Sequence, residues 1–275
     1  MTWQAGGILA GTVAVVAAIA LFFGGHHTSV LDPVANAADT TAQSGSAEVG
    51  IAGSITAGGQ TLPISGNGVI DMKTNGGRLS LSMTLPGAGA QTFDEIVTGT
   101  TFYIRMPQLA AKLPGGKQWV KVDLRAAGKS LGIDFGKVMG AGRQNPADML
   151  RFLEAVGSSH VVGTERIRGA PTTHYSAAID LEKAADSLGD KQTAAALKQM
   201  YGSSGATRMP VDVWIDRAGR VRREHVSLSM SAGATGPAGI DMTLEFIRFG
   251  VPVDLTAPPS DQVLDTTALL GALGR

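Results

Sequence analysis

The sequence predicts an α+β fold that is mainly antiparallel β-sheet. Three segments carry this prediction, because apolar and polar residues alternate in each with the period of two of a strand that has one buried face. The segments are Arg78–Leu85, Met209–Met230 and Ile240–Phe246. Several strands with one apolar and one polar face are typical of an antiparallel sheet that is covered on one side only.

The segment Met209–Met230 is the clearest of the three and predicts a β-hairpin. Its two arms share an apolar face, formed by Val211, Val213, Ile215, Val226, Leu228 and Met230. Asp216 begins the turn between the arms and Gly219 ends it. An Asp side chain can bond to turn backbone, and Gly adopts positive φ without steric cost, so we expect a tight turn here.

The composition excludes several classes of protein. The 275 residues carry a formal net charge of zero, and no basic patch is interleaved with aromatic residues. Electrostatics therefore give no reason to expect nucleic acid as a partner. The absence of Cys excludes disulfides, thiolate metal sites and a lipid-modified N-terminal Cys.

The N-terminal segment, residues 1–25, is predicted to be a transmembrane anchor. Trp3–Gly25 carries no ionised side chain, and its apolar core Ala5–Phe23 has about the length that crosses 30 Å of hydrocarbon as a helix. The alternative is a cleaved signal peptide. The A-x-A site Ala35-Asn36-Ala37 lies far beyond the apolar run, however, and there is no basic n-region.

The orientation of this anchor is harder to predict, because the first Lys or Arg of the chain is Lys73. Only acidic residues carry charge between the anchor and that position, so nothing there opposes translocation. We therefore expect a single-pass protein of the cell membrane with its body outside the cytoplasm.

Residues 26–45 are small and polar and lack periodicity, which predicts a flexible tether between the membrane and the body. The pair His26-His27 could bind a metal, but no third ligand is near in sequence, and a solvated pair is favoured. The body is expected to span residues 46–258, followed by a tail over 259–275.

The first part of the body predicts a meander of short-linked strands. Turn formers separate them, among them Gly58-Gly59 and Asn75-Gly76, the latter being a strong hairpin signal. The predicted strands are Ala47–Ala57, Gln60–Lys73, Gly77–Leu85, Gln91–Thr98 and Thr100–Met106. Short links place such strands beside one another in an up-and-down sheet.

Two amphipathic helices are predicted as covers for the apolar face. Asn145–Val156 has Asn145 as its cap, Pro146 in its first turn and an apolar face that includes Met149, Phe152 and Leu153. Asp180 is expected to cap the second helix, Leu181–Tyr201, which Gly189-Asp190 interrupts.

The remaining segments are assigned more coarsely. Ser159–Arg168 and Thr172–Ile179 predict another hairpin, and Leu124–Met139 is compatible with either a loop or a short helix. In the tail, Pro258-Pro259 is expected to end the sheet, and Val263–Leu273 predicts one short helix.

Catalytic motifs are missing from the sequence. There is no nucleophile elbow, dinucleotide loop, P-loop or H-E-x-x-H, and Gly66-Asn-Gly68 lies inside a strand pattern.

His160, His174 and His225 each stand alone in a strand, which favours packing or solvation. Asp212 and Asp216 share a face with Trp214, but a solvated strand beside a turn explains them better than paired carboxylates. We therefore expect no enzymatic activity, no cofactor and no bound metal.

Four sequence segments, taken in their order along the chain, resemble the LppX/LprG-type lipoproteins of actinobacteria, within the broader LolA/LolB-like group. They are Phe102–Leu124, Val162–Asp180, Pro210–Arg222 and Phe249–Val263. The resemblance covers about Ala47–Val263, nearly the whole body. It implies a strongly curved half-barrel sheet, helices over its concave face and a cavity for acyl chains between them. Members of the group carry an anchoring lipidated Cys, which this chain lacks; its apolar N-terminus would replace that anchor.

The alternation and the helix faces then predict which residues line the cavity. The candidates are Leu79, Leu81, Met83, Leu85, Met149, Phe152, Leu153, Val213, Val226, Leu228, Met230, Met242, Leu244 and Phe246. The expected ligands are the acyl chains of a lipid or glycolipid, with an envelope transporter as a further candidate partner. The alternative is an ectodomain of the same fold with a closed core that acts through protein contacts.

Overall fold

The computed structural model describes residues 33–87, 89–110, 113–131, 134, 159–188, 190–231 and 237–266. Over these residues the chain forms an open, curved sheet of 12 strands. The strands are β1 Ser46–Ala57, β2 Gln60–Asp71, β3 Gly76–Leu85, β4 Gly89–Thr98, β5 Thr101–Arg105, β6 Trp119–Asp123, β7 His160–Ile167, β8 Ala170–Asp180, β9 Arg208–Asp216, β10 Val221–Ser231, β11 Pro237–Phe249 and β12 Val263–Asp265.

The sheet is built from two meanders joined at the pairing of β1 with β11. Its strand order is β12-β6-β5-β4-β3-β2-β1-β11-β10-β9-β8-β7, and every pair is antiparallel except β12 with β6. Neighbours in sequence are thus neighbours in space almost throughout, as short turns require. The predicted antiparallel meander is confirmed.

The helices are short and few within the described residues. They are α1 Pro33–Gln43, α2 Pro107–Ala110, α3 Leu124–Leu131, α4 Leu181–Ser187 and α5 Lys191–Ser204, with 3-10 turns at Pro114–Gly116 and Ser260–Gln262. Helix α5 lies beside β10, and α1 lies beside β9 and β10. None of these helices is long and apolar enough to cross a membrane. The predicted anchor over residues 1–25 and the predicted helix Asn145–Val156 lie outside the described residues.

The turn and the helix cap that the sequence predicted are both present. Asp216 Oδ1 accepts hydrogen bonds from the backbone N–H groups of Ala218 and Arg220, at 2.9 and 3.0 Å, and Gly219 has a φ of 76°. Asp180 Oδ1 accepts from the N–H groups of Glu182 and Lys183, each at 3.1 Å. Each carboxylate thereby accepts hydrogen bonds from backbone N–H groups that have no backbone partner in the turn or at the start of the helix.

The expected flexible tether is wrong for residues 33–43, which form helix α1. Val34, Ala37 and Ala42 on this helix are buried in the apolar core. Thr41 is fully buried, and its hydroxyl oxygen accepts a hydrogen bond from Val221 N at 2.8 Å while donating to Ala37 O at 2.6 Å. The segment is part of the folded body, which therefore begins before Ser46.

The expected helix in the tail is wrong for its first residues. Val263–Asp265 form β12, which pairs in parallel with β6 and extends the sheet at that edge. Lys121 Nζ contacts Asp265 Oδ2 at 2.8 Å, and Thr266 N donates to Lys121 O at 3.1 Å. The edge of β6 is thus covered by the chain's own C-terminal region.

Glycines in the middle of the sheet let neighbouring strands approach very closely. A Cβ at Gly66 would lie 2.3 Å from Ser80 O, and a Cβ at Gly68 would lie 2.2 Å from Arg78 O. Gly53 on β1 is equally crowded, with Asp241 O at 2.1 Å from its Cβ position. These glycines face the same side as the apolar residues paired with them, such as Leu81 opposite Gly66. The sheet therefore bends toward its apolar face, which is the concave one.

Gly66→Ala is expected to destabilise the protein by about 1–3 kcal/mol, because the added methyl group must displace backbone of β3. The matched control is Gly163→Ala on β7, where a Cβ would meet nothing within 4 Å. Denaturant unfolding of both variants measures the difference. Equal stability of the two variants would contradict the close approach of β2 to β3.

Candidate functional site

The concave face carries ten of the fourteen apolar residues that the sequence predicted to line a cavity. Those buried within one continuous cluster are Leu79, Leu81, Met83, Val213, Val226, Met242, Leu244 and Phe246. Leu85 and Leu228 are partly buried and pack against the same cluster. Met230 pairs with Ala238 on β11, while Met149, Phe152 and Leu153 lie outside the described residues. The eight buried and two partly buried residues thus pack in one apolar cluster; the role of the predicted residues in ligand binding stays a prediction.

The cluster spans strands from both meanders. It runs from β6 and β5, through Phe93 on β4, to Val211 on β9 and Ile179 on β8. The largest side chains in it are Phe93, Phe102 and Phe246, each at most 1% exposed. The apolar cluster is therefore continuous across most of the width of the sheet.

Two carboxyl groups interrupt this apolar face. Glu95 on β4 is paired with Leu79 on one side and Ile104 on the other. Glu224 on β10 is paired with Val213 and Leu244. Because directly paired residues point to the same side of a sheet, both glutamates lie on the concave face.

Neither glutamate was predicted from the sequence as a site residue, although the same alternation of apolar and polar residues contains the signal. Glu95 stands two residues after Phe93 and two before Val97, both of which are buried. Glu224 stands two residues before Val226 on the same face of β10. Extending the period of two through a charged residue would have placed each carboxyl among apolar side chains.

Neither glutamate is satisfied by the described residues. Glu95 is 0% exposed, and both of its carboxyl oxygens lack a hydrogen-bond partner there. Burial raises the pKa of Glu95 from 4.5 to about 8. Glu224 is 4% exposed, its Oε2 is unpartnered, and burial raises its pKa well above 4.5. Because burial disfavours the charged form, Glu95 is mainly a neutral acid at pH 7, with one donor and open acceptor sites.

The two glutamates lie on strands that are far apart in the order of the sheet. Strands β3, β2, β1 and β11 lie between β4 and β10 in the sheet. Burial alone raises the pKa of each carboxyl, with no contribution from the other. Each is an isolated polar point in an apolar surface.

The opposite, convex face carries a polar network that includes two of the histidines. His174 Nε2 lies 2.9 Å from Asp212 Oδ1, and the His174 ring stacks on Trp214 with centroids 4.2 Å apart. His225 lies on the other side of Asp212, with its Nδ1 3.8 Å from Asp212 Oδ2. The Trp214 indole N–H donates to Glu165.

The two aspartates of this region differ in their contacts. Asp212 lies between two histidines, whereas Asp216 holds the turn and contacts Arg220 at 3.2 Å. His160 is exposed at the start of β7. Within the described part of the chain, no group of three or more metal-binding side chains is placed to hold an ion.

A surface cleft of about 350 Å³ lies where β7, β8 and β9 approach their turns. Its lining is polar and mixed: Thr164, Glu165, Arg166, Pro171, Thr172, Thr173, Ile215, Asp216 and Arg217. None of these is among the predicted cavity residues. Its charged walls do not suit an acyl chain, so the concave face remains the candidate site.

Comparison with known proteins gives one curated relative and several similar structures. No family model matches the chain. An uncharacterized 31.2 kDa protein of Streptomyces griseus, from the rplA-rplJ intergenic region, is 28% identical over 173 residues, which is 62% of this chain. The chain matches about half of that relative's length, 55%.

Several solved structures are similar to this chain. The lipoprotein LppX of Mycobacterium tuberculosis has a TM-score of 0.45 at 15% identity, covering 82% of this chain and 96% of LppX. LprF of Mycobacterium bovis has a TM-score of 0.40 at 18% identity, covering 80% and 92%. Both belong to the LppX/LprG-type lipoproteins that the four sequence segments resemble, and the predicted resemblance is confirmed. These similarities concern the fold alone.

Glu95→Gln is expected to stabilise the protein in a pH-dependent way. With a folded pKa of about 8 and an ordinary value of 4.5, the unfolded chain binds fewer protons between these values, so parent stability falls as pH rises. The Gln side chain has no proton to lose, so the variant should not become less stable over this pH range. Its free energy of unfolding should therefore exceed that of the parent by an amount that grows with pH to roughly 5 kcal/mol, since each pKa unit is worth about 1.4 kcal/mol. Denaturant unfolding at several pH values measures it.

The matched control is the preceding residue, Asp94, on the convex face. Burial raises the pKa of Asp94, but hydrogen bonds from Ser80 and Arg105 outweigh it and hold the pKa below 3.8. Asp94→Asn should therefore destabilise at neutral pH, with the difference shrinking as the solution is acidified. A pH-independent effect of Glu95→Gln would contradict the burial of an unpartnered carboxyl.

Proposed function

We propose that this chain is a binding protein of the cell envelope that holds or transfers an acylated lipid or glycolipid on the concave face of its sheet. The observation that carries the proposal is the continuous apolar face interrupted by unpartnered carboxyls. In a closed core such groups cost stability and gain nothing. On a surface that binds an amphiphile, apolar side chains can contact the acyl chain, and a carboxyl group can hydrogen-bond to the polar part of the ligand.

The apolar area is sufficient for this role. Each methylene of an acyl chain moved from water to an apolar surface contributes about 0.8 kcal/mol. A chain of about sixteen carbons therefore offers on the order of 10 kcal/mol, against which association and ordering costs must be set. Charged contacts to the headgroup are not needed for useful affinity.

Two methionines make the concave face adaptable. Met83 on β3 and Met242 on β11 belong to the buried cluster. The unbranched thioether side chain can change rotamer at little cost and fit chains of different shape. This property suits a carrier of lipids better than a core that must specify one packing.

The proposal includes a non-enzymatic role and attachment to the membrane by the apolar segment Ala5–Phe23, with the body outside the cytoplasm. The isolation of Glu95 from Glu224 supports the first part, because the two carboxyls are five strand positions apart. The network around His174 faces away from the apolar cluster. A nucleophile and base are thus not brought together on the proposed ligand face within the described residues.

A second candidate function is an envelope ectodomain with a closed core that acts through protein contacts. The edge strand β7 favours it, because Val161 and Val162 are 61% and 54% exposed there. An edge strand with exposed apolar side chains can accept a strand from a partner protein. The two functions differ in whether the concave face takes up lipid.

Leu81→Trp separates them. On a ligand surface, the larger side chain occupies lipid volume, so bound lipid should fall at least several-fold while the melting temperature changes little. In a closed core, the same overpacking should cost about 1–3 kcal/mol of stability. Native mass spectrometry and quantification of extracted lipid, together with thermal unfolding, measure both.

The control is Thr84→Trp on the same strand, since Thr84 is exposed on the opposite face. It should change neither lipid content nor melting temperature appreciably. Loss of stability in Leu81→Trp, with no lipid bound to the parent protein, would remove the carrier proposal and leave the closed-core alternative.

A further inference from the structure

We propose that the carboxyl group of Glu95 recognises a hydroxyl or amide group of a neutral lipid whose acyl chain lies on the concave face. This inference rests on the proposed function and deepens it, because it specifies the chemical class of the ligand. The group would be a headgroup hydroxyl or a linkage N–H, and the lipid would carry no charge near this point.

The position of Glu95 is the first support. It lies on β4 in the apolar cluster, between Phe93 and Val97 along the strand and between Leu79 and Ile104 across it. It is 0% exposed, and neither carboxyl oxygen has a hydrogen-bond partner among the described residues. Buried polar groups are normally hydrogen-bonded, so a carboxyl group without a partner on the proposed ligand face is a candidate contact for the ligand.

The neighbouring residue on the same strand, Asp94, has a carboxyl group whose hydrogen-bond partners all lie within the protein. Asp94 Oδ1 accepts from Ser80 Oγ at 2.5 Å. Its Oδ2 accepts from Arg105 Nε at 3.0 Å and from a terminal guanidinium nitrogen at 2.6 Å. Asp94 thus has all its partners within the protein, although it is the more exposed of the two. Glu95 has no such partner among the described residues, and the proposal assigns that partner to the ligand.

The electrostatics select a neutral partner. Burial alone raises the pKa of Glu95 to about 8, and no cation contributes to it. At neutral pH the side chain is mainly protonated and offers both a donor and an acceptor. A phosphate or carboxylate placed beside it would be desolvated with no cation to balance its charge. A hydroxyl or an amide can satisfy the carboxyl in both directions.

Glu95 is a better candidate than Glu224 for this role. Glu224 is 4% exposed, and only its Oε2 is a buried oxygen without a partner. Both oxygens of Glu95 are open, as a group that bonds a ligand hydroxyl in both directions requires.

The test uses the full chain and two competitors that share an acyl chain and an ester: monopalmitoylglycerol, which has free hydroxyls, and methyl palmitate, which has none. Each displaces a pyrene-labelled alkane from the protein, and the ratio of the two affinities is the readout. We expect the parent to prefer monopalmitoylglycerol by about tenfold, the value of one good hydrogen bond. Glu95→Met should bring the ratio near one, whereas Glu95→Gln, which keeps a donor and an acceptor, should retain a preference.

The matched control is Ile96→Val. Ile96 adjoins Glu95 and is 2% exposed, but it lies on the other face of β4. This variant perturbs the same strand and should keep the tenfold preference. A preference that survives in Glu95→Met, or that is already absent in a parent that binds the alkane, would overturn the role of Glu95 and leave lipid binding intact. A parent that binds neither the alkane nor the competitors would instead remove the proposed function.

A second measurement keeps the test valid if Glu95→Met does not fold. Between about pH 6 and about pH 9 the parent should bind methyl palmitate progressively less well, because an ionised carboxylate must then be buried beneath an apolar chain. Glu95→Gln has no such group and should show no decline. Parallel curves for the two proteins would overturn the inference.

Discussion

The close approach of β2 to β3 is the constraint on which the rest of the structure depends. At Gly66 and Gly68 the neighbouring backbone occupies the space that a Cβ would need. Because both positions face the apolar side, the strands draw together there and the sheet bends toward that side. A flat sheet of this width would leave its apolar face open; the bend turns that face into a concave surface that short helices can border.

The two faces of the curved sheet then take different roles. On the convex face, carboxylates are satisfied within the protein, as Glu245 is by Arg168 at 2.8 Å and by Arg223 at 2.5 Å. Such partly exposed pairs contribute about 0–1 kcal/mol each, so they orient strands more than they stabilise the fold. On the concave face, Glu95 and Glu224 keep unpartnered oxygens in apolar surroundings. Both glutamates thus present unpartnered oxygens on the face where a ligand is proposed to bind.

The sequence predicted the strands well because one-sided alternation is a strong signal, and the Asp216–Gly219 turn followed from the chemistry of its residues. Helix α1 was missed because its buried residues are mostly small, such as Ala37 and Ala42, and give weak apolar periodicity. Strand β12 was missed because its pairing with β6 depends on a contact distant in sequence. Glu95 was missed because a carboxylate usually marks a solvated position, and its burial follows from the residues paired across β3 and β5.

The most direct test of the central claim is photolabelling of the full-length protein with a palmitoyl chain that carries a diazirine at its end. Mass spectrometry of the digest locates the adducts. If acyl chains bind the concave face, labels should fall on peptides of β3, β10 and β11, at or beside Leu81, Leu228 and Met242, and excess unlabelled monopalmitoylglycerol should remove them. Labels confined to β7 around Val161, or labels that no competitor removes, would contradict a lipid-binding concave face.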